Sequence, residues 1–206
     1  MCNQNTEKCL SSYGEDLPDC CYNILNDMLK NIIKIFEKHE LNYWLDWGSL
    51  LGLIREGKLI RFDTDLDFGI FLNDLDKIKN MKSDFDEIGY NLCITNCSGG
   101  CFPKIYYSQK NNLYADIWLW DYVEDSLRLM KVNEEYSKIN RVPKYFYENL
   151  ETIEFNDIKI KIPSNIEKYL EFRFGKDWRI PDRHFYRNNQ AHSNKIRAEQ
   201  IKLAGI

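Results

Sequence analysis

Three aspartates at every second position, Asp63, Asp65 and Asp67, stand in the run RFDTDLDFGI. Side chains at i, i+2 and i+4 of a strand share one face. Three carboxylates crowded on one face repel one another, and a cation relieves that repulsion. Clustered hard oxygen ligands suit Mg²⁺ or Mn²⁺. Upstream, Gly48-Ser49 opens what reads as a short helix, where backbone N–H groups can face a phosphate. Downstream, Asp116 sits in LYADIWLW among apolar and aromatic residues. A lone carboxylate there is costly, and a metal shared with Asp65 and Asp67 would offset the cost. A phosphate cradle beside metal-binding carboxylates is the apparatus of phosphoryl or nucleotidyl transfer.

The elements that must hold these residues can be read from periodicity. Ile24, Met28, Leu29, Ile32, Ile33 and Phe36 form one apolar stripe and predict a helix from Asp19 to Glu40. Tyr43 to Asp46 reads as a short strand, and Ser49 to Arg55 as a short helix stopped by Gly57. Leu66 to Leu72 reads as a strand whose Leu66, Phe68 and Ile70 face away from the aspartates. Asn73 is placed to cap a helix over Leu75 to Ile88. Strand-like pieces follow at Asn91–Thr95, Phe102–Ser108 and Leu113–Trp120, with turns at Gly99-Gly100 and Asn111-Asn112. Tyr122 to Val132 is a weaker strand or loop. Thr152 to Ile162 reads as a hairpin turning at Asn156-Asp157, and Pro163-Ser164 opens a helix through Phe174. The tail from Asn194 to Leu203 reads as helical.

Asp-x-Asp after Gly-Ser, with a third Asp on a later strand, resembles the nucleotidyltransferase superfamily that includes DNA polymerase beta. The implied fold is α/β: a mixed sheet flanked by helices, here with a small Cys-bearing N-terminal arm. The resemblance implies that Asp65 and Asp67 bind the metals and that Asp116 completes the site. WLDWGSLLGLIREGKLIRFDTDLDFGI, PKIYYS, YADIWLWDY and IPSNIEKYLEFRFGKDWRIP, in that order, resemble the LicD family. The resemblance runs from about Cys2 to Pro181 and implies one transferase domain over 1–206. Within it, 1–21 is the arm, 43–120 the catalytic core and 150–181 a C-terminal segment of the family. The implied activity is transfer of a substituted phosphate, such as ribitol phosphate, phosphocholine or glycerol phosphate. It passes from a CDP-activated donor to a glycan or glycolipid hydroxyl, with release of CMP. The implied catalytic set is Asp65, Asp67 and Asp116, with Mg²⁺ on Asp63, Asp65, Asp67 and Asp116. Asp116 acts as general base or as a further metal ligand. Gly48, Ser49, Arg55 and Lys104 are the implied substrate contacts, the last two on donor phosphates. Thr64 departs from the pattern, since many members carry another Asp there.

Cys2, Cys9, Cys20 and Cys21 precede the first long helix. As residues they are buried or free thiols, or the four ligands of one tetrahedral Zn²⁺. The family resemblance favours zinc, because a zinc-binding loop ending in a Cys-Cys pair lies at the corresponding place. Cys93, Cys97 and Cys101 are assigned no metal. Among the arginines, Arg141, Arg173, Arg183 and Arg187 are candidates for a nucleotide or acceptor pocket. His39, His184 and His192 lack metal-ligand spacing.

A net charge of −4 argues against a nucleic-acid partner. Seven cysteines, an odd number, disfavour a complete disulfide framework. No apolar run approaches the ~20 residues that span a bilayer, and the first residues resemble no targeting signal. These features predict a cytoplasmic protein, or one trimmed of a leader. Three other readings compete with phosphate-group transfer. They are an enzyme moving NMP from an NTP to a protein, RNA or small molecule, a UDP-sugar glycosyltransferase, and a binding module that has lost catalysis. Gly48-Ser49 and Asp116 argue against the second, and the intact acid set argues against the third.

Overall fold

The computed structural model describes residues 5, 9, 14–94, 102–111, 113–183 and 190–206. Its first long element is helix α1 (Asp19–Lys38), with Asp19 in the first turn and Lys38 in the last, as the helix dipole favours. The predicted stripe is its buried face, with Met28, Leu29, Ile32 and Phe36 fully shielded from solvent.

Among the described residues the main sheet has seven strands. Its path runs β1 (Tyr43–Leu45), β2 (Asp65–Phe71), β5 (Tyr114–Val123), β4 (Lys104–Tyr106) and β3 (Asn91–Cys93). Strand β6 (Ser126–Leu129) folds back on β5, and β7 (Arg141–Pro143) pairs with β6. Among the described residues only the β2–β5 pairing at the centre is parallel. Such a pairing needs a long crossover, and α3 (Leu75–Asn80), α4 (Lys82–Glu87) and the β3–β4 hairpin fill it. A mixed sheet with helices is the predicted α/β class.

Alternation in β2 places Leu66, Phe68 and Ile70 on one face, all fully buried. There Phe36 of α1 meets the rings of Phe68, Tyr43 and Phe85 at centroid distances of 5.3, 5.3 and 6.5 Å. Burying side chains of this size contributes roughly 1.5–3 kcal/mol each, so this aromatic layer fixes α1 under the sheet. The opposite face carries the acids. On that face Gly69 lies against the Trp44 indole, leaving no room for a Cβ.

Helix α2 (Trp47–Glu56) leads from β1 toward β2 and stops at Gly57, whose φ of 66° is the left-handed cap expected of it. Hairpin β8–β9 (Glu151–Phe155, Ile158–Ile162) turns through Asn156 and Asp157 at φ 47° and 65°, as the sequence predicts. Helix α6 (Ile166–Phe174) follows, and α7 (Gln190–Ala204) includes the predicted helical tail. Among the described residues no helix is long and apolar enough to cross a membrane.

Three expectations are corrected. The single helix over 75–88 is two short helices broken at Met81, which is wholly buried at the kink beside Ile78 and Phe85. Core packing there overrides continuity, and Asn73 falls in a 3₁₀ turn (Leu72–Asp74) rather than at a cap. The stretch after Tyr122 is an ordered hairpin, followed by an unforeseen helix α5 (Glu134–Lys138). Asn133 caps α5 by accepting from Tyr136 N–H at 2.8 Å. Third, Cys9 and Cys21 form a disulfide, and Cys20 and Cys93 are disulfide-bonded as well, rather than free thiols. The arm brings Cys9 back onto the start of α1, where Leu17 N–H donates to Arg61 O at 2.7 Å. Cys20 Sγ lies 4.0 Å from Cys21 Sγ. Cys2, Cys97 and Cys101, and the turns expected at Gly99-Gly100 and Asn112, lie outside the described residues.

Candidate active site

Register builds the site. Asp67 of β2 stands beside Asp116 of β5, which stands beside Lys104 of β4. Three adjacent strands thus present two acids and a cation in one cross-strand row, with neighbours ~4.8 Å apart. Asp65 is two residues back on the same face. One carboxylate oxygen from each of Asp65, Asp67 and Asp116 lies within 4.8 Å of the others. Sequence spacing predicts Asp65 and Asp67 on one face, and the parallel register supplies Asp116.

Asp63 precedes the strand instead of belonging to it. Its N–H donates to Ile60 O at 3.1 Å in a turn, and its side chain hydrogen-bonds Asp65. It therefore joins the cluster from a turn, and the three-carboxylate group of closest approach excludes it.

Burial and mutual repulsion decide the ionisation of these acids. Burial, then the neighbouring Asp65, holds the Asp63 carboxyl well above the usual carboxylate range. Burial, then Asp65, Asp116 and Asp63, does the same to Asp67. Burial raises Asp65 as well, against hydrogen bonds from Asp63 and Tyr114 and the charge of Lys104. Asp116 is pushed up to about 6 by burial, opposed by its ion pair with Lys104. Protons are thus favoured on a cluster built of charge-bearing groups. A divalent cation satisfies the same electrostatic need, and three hard carboxylate oxygens this close fit Mg²⁺ or Mn²⁺.

The Gly-Ser turn sits over the acids. A Cβ on Gly48 would meet the Asp63 carboxylate and reach 3.9 Å from Asp67 Oδ2, so the glycine lets the turn lie close over the acids. Gly48 and Ser49 are the second and third residues of α2, where backbone N–H groups lack intrahelical acceptors. The Ser49 hydroxyl has a task the sequence does not show: it accepts from Asp67 N–H at 3.0 Å. Asp46 N–H donates to Asp67 O at 3.0 Å, so the main chain of Asp67 is held on both sides.

Asp46 itself was not among the expected site residues. Fully buried, it caps α2 by accepting from Trp47 N–H at 2.8 Å, and it also accepts from Trp44 Nε1 at 3.3 Å and Tyr169 Oη at 2.5 Å. Its position directly before the helix start is a capping signal. Trp118 Nε1 donates to Asp67 Oδ1 at 2.8 Å, and Tyr114 hydrogen-bonds Asp65. Both lie on the acid face of β5, where alternation with Asp116 marks them.

The cationic candidates separate. Lys104 is buried in the site, ion-paired to Asp116 and flanked by the rings of Tyr114 and Phe102 at 4.3 and 5.1 Å. Arg55 lies in the last turn of α2, about 9 Å along the axis from Ser49, and pairs with Glu56 at 2.6 Å. Arg141 hydrogen-bonds Ser126, and Arg183 pairs with Asp16 at 2.7 Å and stacks over the Phe62 ring at 5.0 Å. Arg173 stands at the site, its guanidinium 3.8 Å from the Trp47 ring centroid. His39 pairs with Asp84. Arg187, His184 and the side chain of His192 lie outside the described residues.

A profile of the LicD/FKTN/FKRP nucleotidyltransferase domain matches residues 40–165, from just before β1 to the start of α6. The chain belongs to that family. The human ribitol 5-phosphate transferase FKRP is 27% identical over 189 residues, covering 84% of this chain and 38% of that protein. The human ribitol-5-phosphate transferase FKTN is 25% identical over 163 residues, covering 75% of this chain and 33% of that protein. This LicD-family chain therefore spans about a third of the length of these relatives. Among solved structures, the lincomycin-bound lincosamide antibiotic adenylyltransferase LnuA aligns with 17% identity and a TM-score of 0.46. That alignment covers 84% of this chain and 96% of LnuA, a likeness too slight to bear on activity.

Proposed function

We propose that this LicD-family chain transfers a substituted phosphate from a CDP-activated donor to a glycan hydroxyl, releasing CMP. The observation that carries the reading is the row Asp67–Asp116–Lys104 with Asp65 beside it, roofed by Gly48. Family membership, and the transferase names of FKRP and FKTN, support the class of group moved.

Asp65 and Asp67, with Asp63 and Asp116 adjoining, would hold Mg²⁺ or Mn²⁺. That ion would neutralise phosphate charge and align the displacement. The backbone N–H groups of Gly48 and Ser49 donate to phosphate oxygens. Asp116 takes the proton of the attacking hydroxyl. Burial raises the Asp116 carboxyl, which favours its taking up a proton. Lys104 orients the Asp116 carboxylate and holds its charge. The acceptor oxygen forms its bond to the phosphorus that carries the alcohol. The bridging P–O bond breaks, and CMP leaves. Trp118 keeps Asp67 in one rotamer through its indole N–H.

The deciding experiment incubates the chain and Mg²⁺ with CDP-ribitol, CDP-choline or CDP-glycerol and, in parallel, with NTPs. CMP released from one CDP-alcohol supports the reading. Pyrophosphate released from an NTP, with no CMP from any CDP-alcohol, assigns nucleotidyl transfer instead.

Zinc on the arm is a separate proposal. Cys9, Cys20 and Cys21 gather at the start of α1, and thiolates gathered in this way, joined by Cys2, would suit one tetrahedral Zn²⁺ under reducing conditions.

A further inference from the structure

A cleft of about 270 Å³ opens between α6, α7 and the 3₁₀ turn Lys144–Phe146, and it shares no residue with the acid cluster. The turn supplies Tyr145 and Phe146, α6 supplies Lys168, Glu171 and Phe172, and α7 supplies Gln200. Lys168, Glu171 and Phe172 are spaced i, i+3 and i+4, so they share one face of α6. Phe146 and Phe172 are buried, 6.2 Å apart between ring centroids, and give the cleft an apolar floor. Tyr145 packs on Phe146 at 4.3 Å yet stays 51% exposed. Its main chain is pinned: Tyr145 O accepts from Ser164 Oγ at 3.1 Å, and Ser164 N–H donates to Phe146 O at 2.7 Å. The open ring is therefore presented on a fixed turn, which lowers the ordering cost of stacking a ligand on it. The polar groups of the cleft are uncommitted. Among the described residues the side chains of Lys168, Glu171 and Gln200 make no hydrogen bond or ion pair, and neither does the Tyr145 hydroxyl. By contrast Glu167, on α6 but outside the cleft, pairs with Arg179 at 2.5 Å.

We propose that this cleft is a subsite for a neutral sugar unit. A sugar ring has apolar C–H faces and an edge of hydroxyls that each donate and accept. Aromatic faces cover the first. The second needs both donors and acceptors: lysine donates, ionised glutamate accepts, and glutamine and tyrosine do both. Lys168 and Glu171 offset each other's charge, so a charged ligand gains nothing over a neutral one. A lipid chain would cover these polar groups without pairing them, at a cost. Sites for drug-sized ligands run to ~300–1,000 Å³, so a cleft of about 270 Å³ admits one or two sugar rings and not a whole CDP-alcohol. Helix α6 joins the cleft to the acids. Its Tyr169 holds the Asp46 carboxylate, while Lys168, Glu171 and Phe172 line the cleft. A glycan gripped there is tethered to the helix that braces the acid site, which raises the local concentration of its hydroxyls. The subsite stands on its own lining. Only the assignment of its sugar to the acceptor glycan rests on the function proposed above.

Saturation-transfer NMR of the full chain with cellobiose, maltose, lactose and diacetylchitobiose tests it, followed by titration of the tightest binder. At least one disaccharide should bind, with saturation strongest on its ring C–H protons. Tyr145→Ala should weaken that binding ~10-fold or more, by loss of apolar contact. Glu171→Ala should weaken it by a similar factor, by loss of hydrogen bonds to a charged group. Both side chains are exposed, so circular dichroism should show the wild-type fold in each variant. Asp116→Asn should leave the affinity for the disaccharide unchanged. Absence of binding by all four disaccharides overturns the subsite, and so does wild-type affinity in either folded cleft variant. Loss of binding in Asp116→Asn also overturns it, because the sugar then sits at the acids. Disaccharide binding that depends on Tyr145, without CMP release from any CDP-alcohol, would refute the transferase reading and leave the subsite standing. CMP release from a CDP-alcohol, with no disaccharide bound, would do the reverse.

Discussion

The carboxylate cluster should make the metal-free protein less stable as pH rises through neutrality. Asp116 moves from an ordinary value of 3.8 to about 6 in the folded chain. A raised carboxyl favours folding while it is protonated. Its contribution is complete below about pH 4 and is lost as pH climbs through 6. Two units at ~1.4 kcal/mol each make this loss about 3 kcal/mol for Asp116 alone. Asp63, Asp65 and Asp67 move in the same direction and steepen the loss. Asp84, Asp125 and Glu134 move the opposite way, held down by Lys38, Lys144 and Lys138. Their contribution disappears only as pH falls below the ordinary carboxylate range, so pH 5 to 7.5 isolates the cluster.

The assay is thermal unfolding in EDTA across that range. About half of that loss falls above pH 5, so at ~2–4 °C per kcal/mol for a chain of this size the melting temperature should drop by roughly 3–6 °C between pH 5 and 7.5 from Asp116 alone. Saturating Mg²⁺ should flatten the curve by binding only the folded state. Asp67→Asn keeps an acceptor for Trp118 Nε1 and removes one charge, so it should shrink the drop and raise stability at pH 7.5 without metal. A melting temperature that is flat or rising in EDTA would refute the electrostatic account. So would an Asp67→Asn curve parallel to wild type.

Three further outcomes follow from the same structure. Asp65→Asn should fold normally by circular dichroism yet release CMP at least ~100-fold more slowly, because removing a preorganised charge contact costs that much; near wild-type release with Mg²⁺ would remove Asp65 from the site. Gly69→Ala pushes a methyl into the Trp44 indole and should cost ~1–3 kcal/mol of overpacking in chemical denaturation; an unchanged midpoint would show that Trp44 can move aside. Protein purified under reducing conditions without a His tag or added zinc should carry about one zinc per chain by mass spectrometry. Cys20→Ser should lose it and Cys97→Ser should not; metal-free wild type of full stability would leave these cysteines as disulfides or ordinary thiols.

Local pattern made much of this legible. The α1 stripe, the Asn156-Asp157 turn, the Gly57 stop and the alternation of β2 each follow from spacing within a few residues. Asp65 and Asp67 on one face follow from the same period. Asp63 was misplaced because alternation cannot show where a strand begins, and here the chain is still turning at Asp63. The break at Met81 depends on which side chains the core accepts, which no helical pattern records. Lys104 was legible as a basic residue near the site. That it pairs with Asp116 depends on β4–β5 register, and hence on how the crossover closes. The role of Ser49 as an acceptor for Asp67 N–H required the fold.

The C-terminal segment is where sequence proximity says least and structure most. Tyr169 and Arg173 lie four apart on α6 and so share one face of it. They engage consecutive residues of the Gly-Ser turn. Tyr169 Oη donates to the Asp46 carboxylate, and Arg173 covers the Trp47 ring. Asp46 in turn holds the main chain of Asp67. A helix some 120 residues downstream thus grips the turn by two adjacent prongs and, through Asp46, fixes a proposed metal ligand. Residues 40–165 end before either prong, so the part of the chain that carries the acids is completed by a part beyond it. An acid cluster whose charges repel is most easily lost to small shifts of backbone. Bracing it from a separate helix places the restraint where the repulsion of the cluster cannot act on it directly.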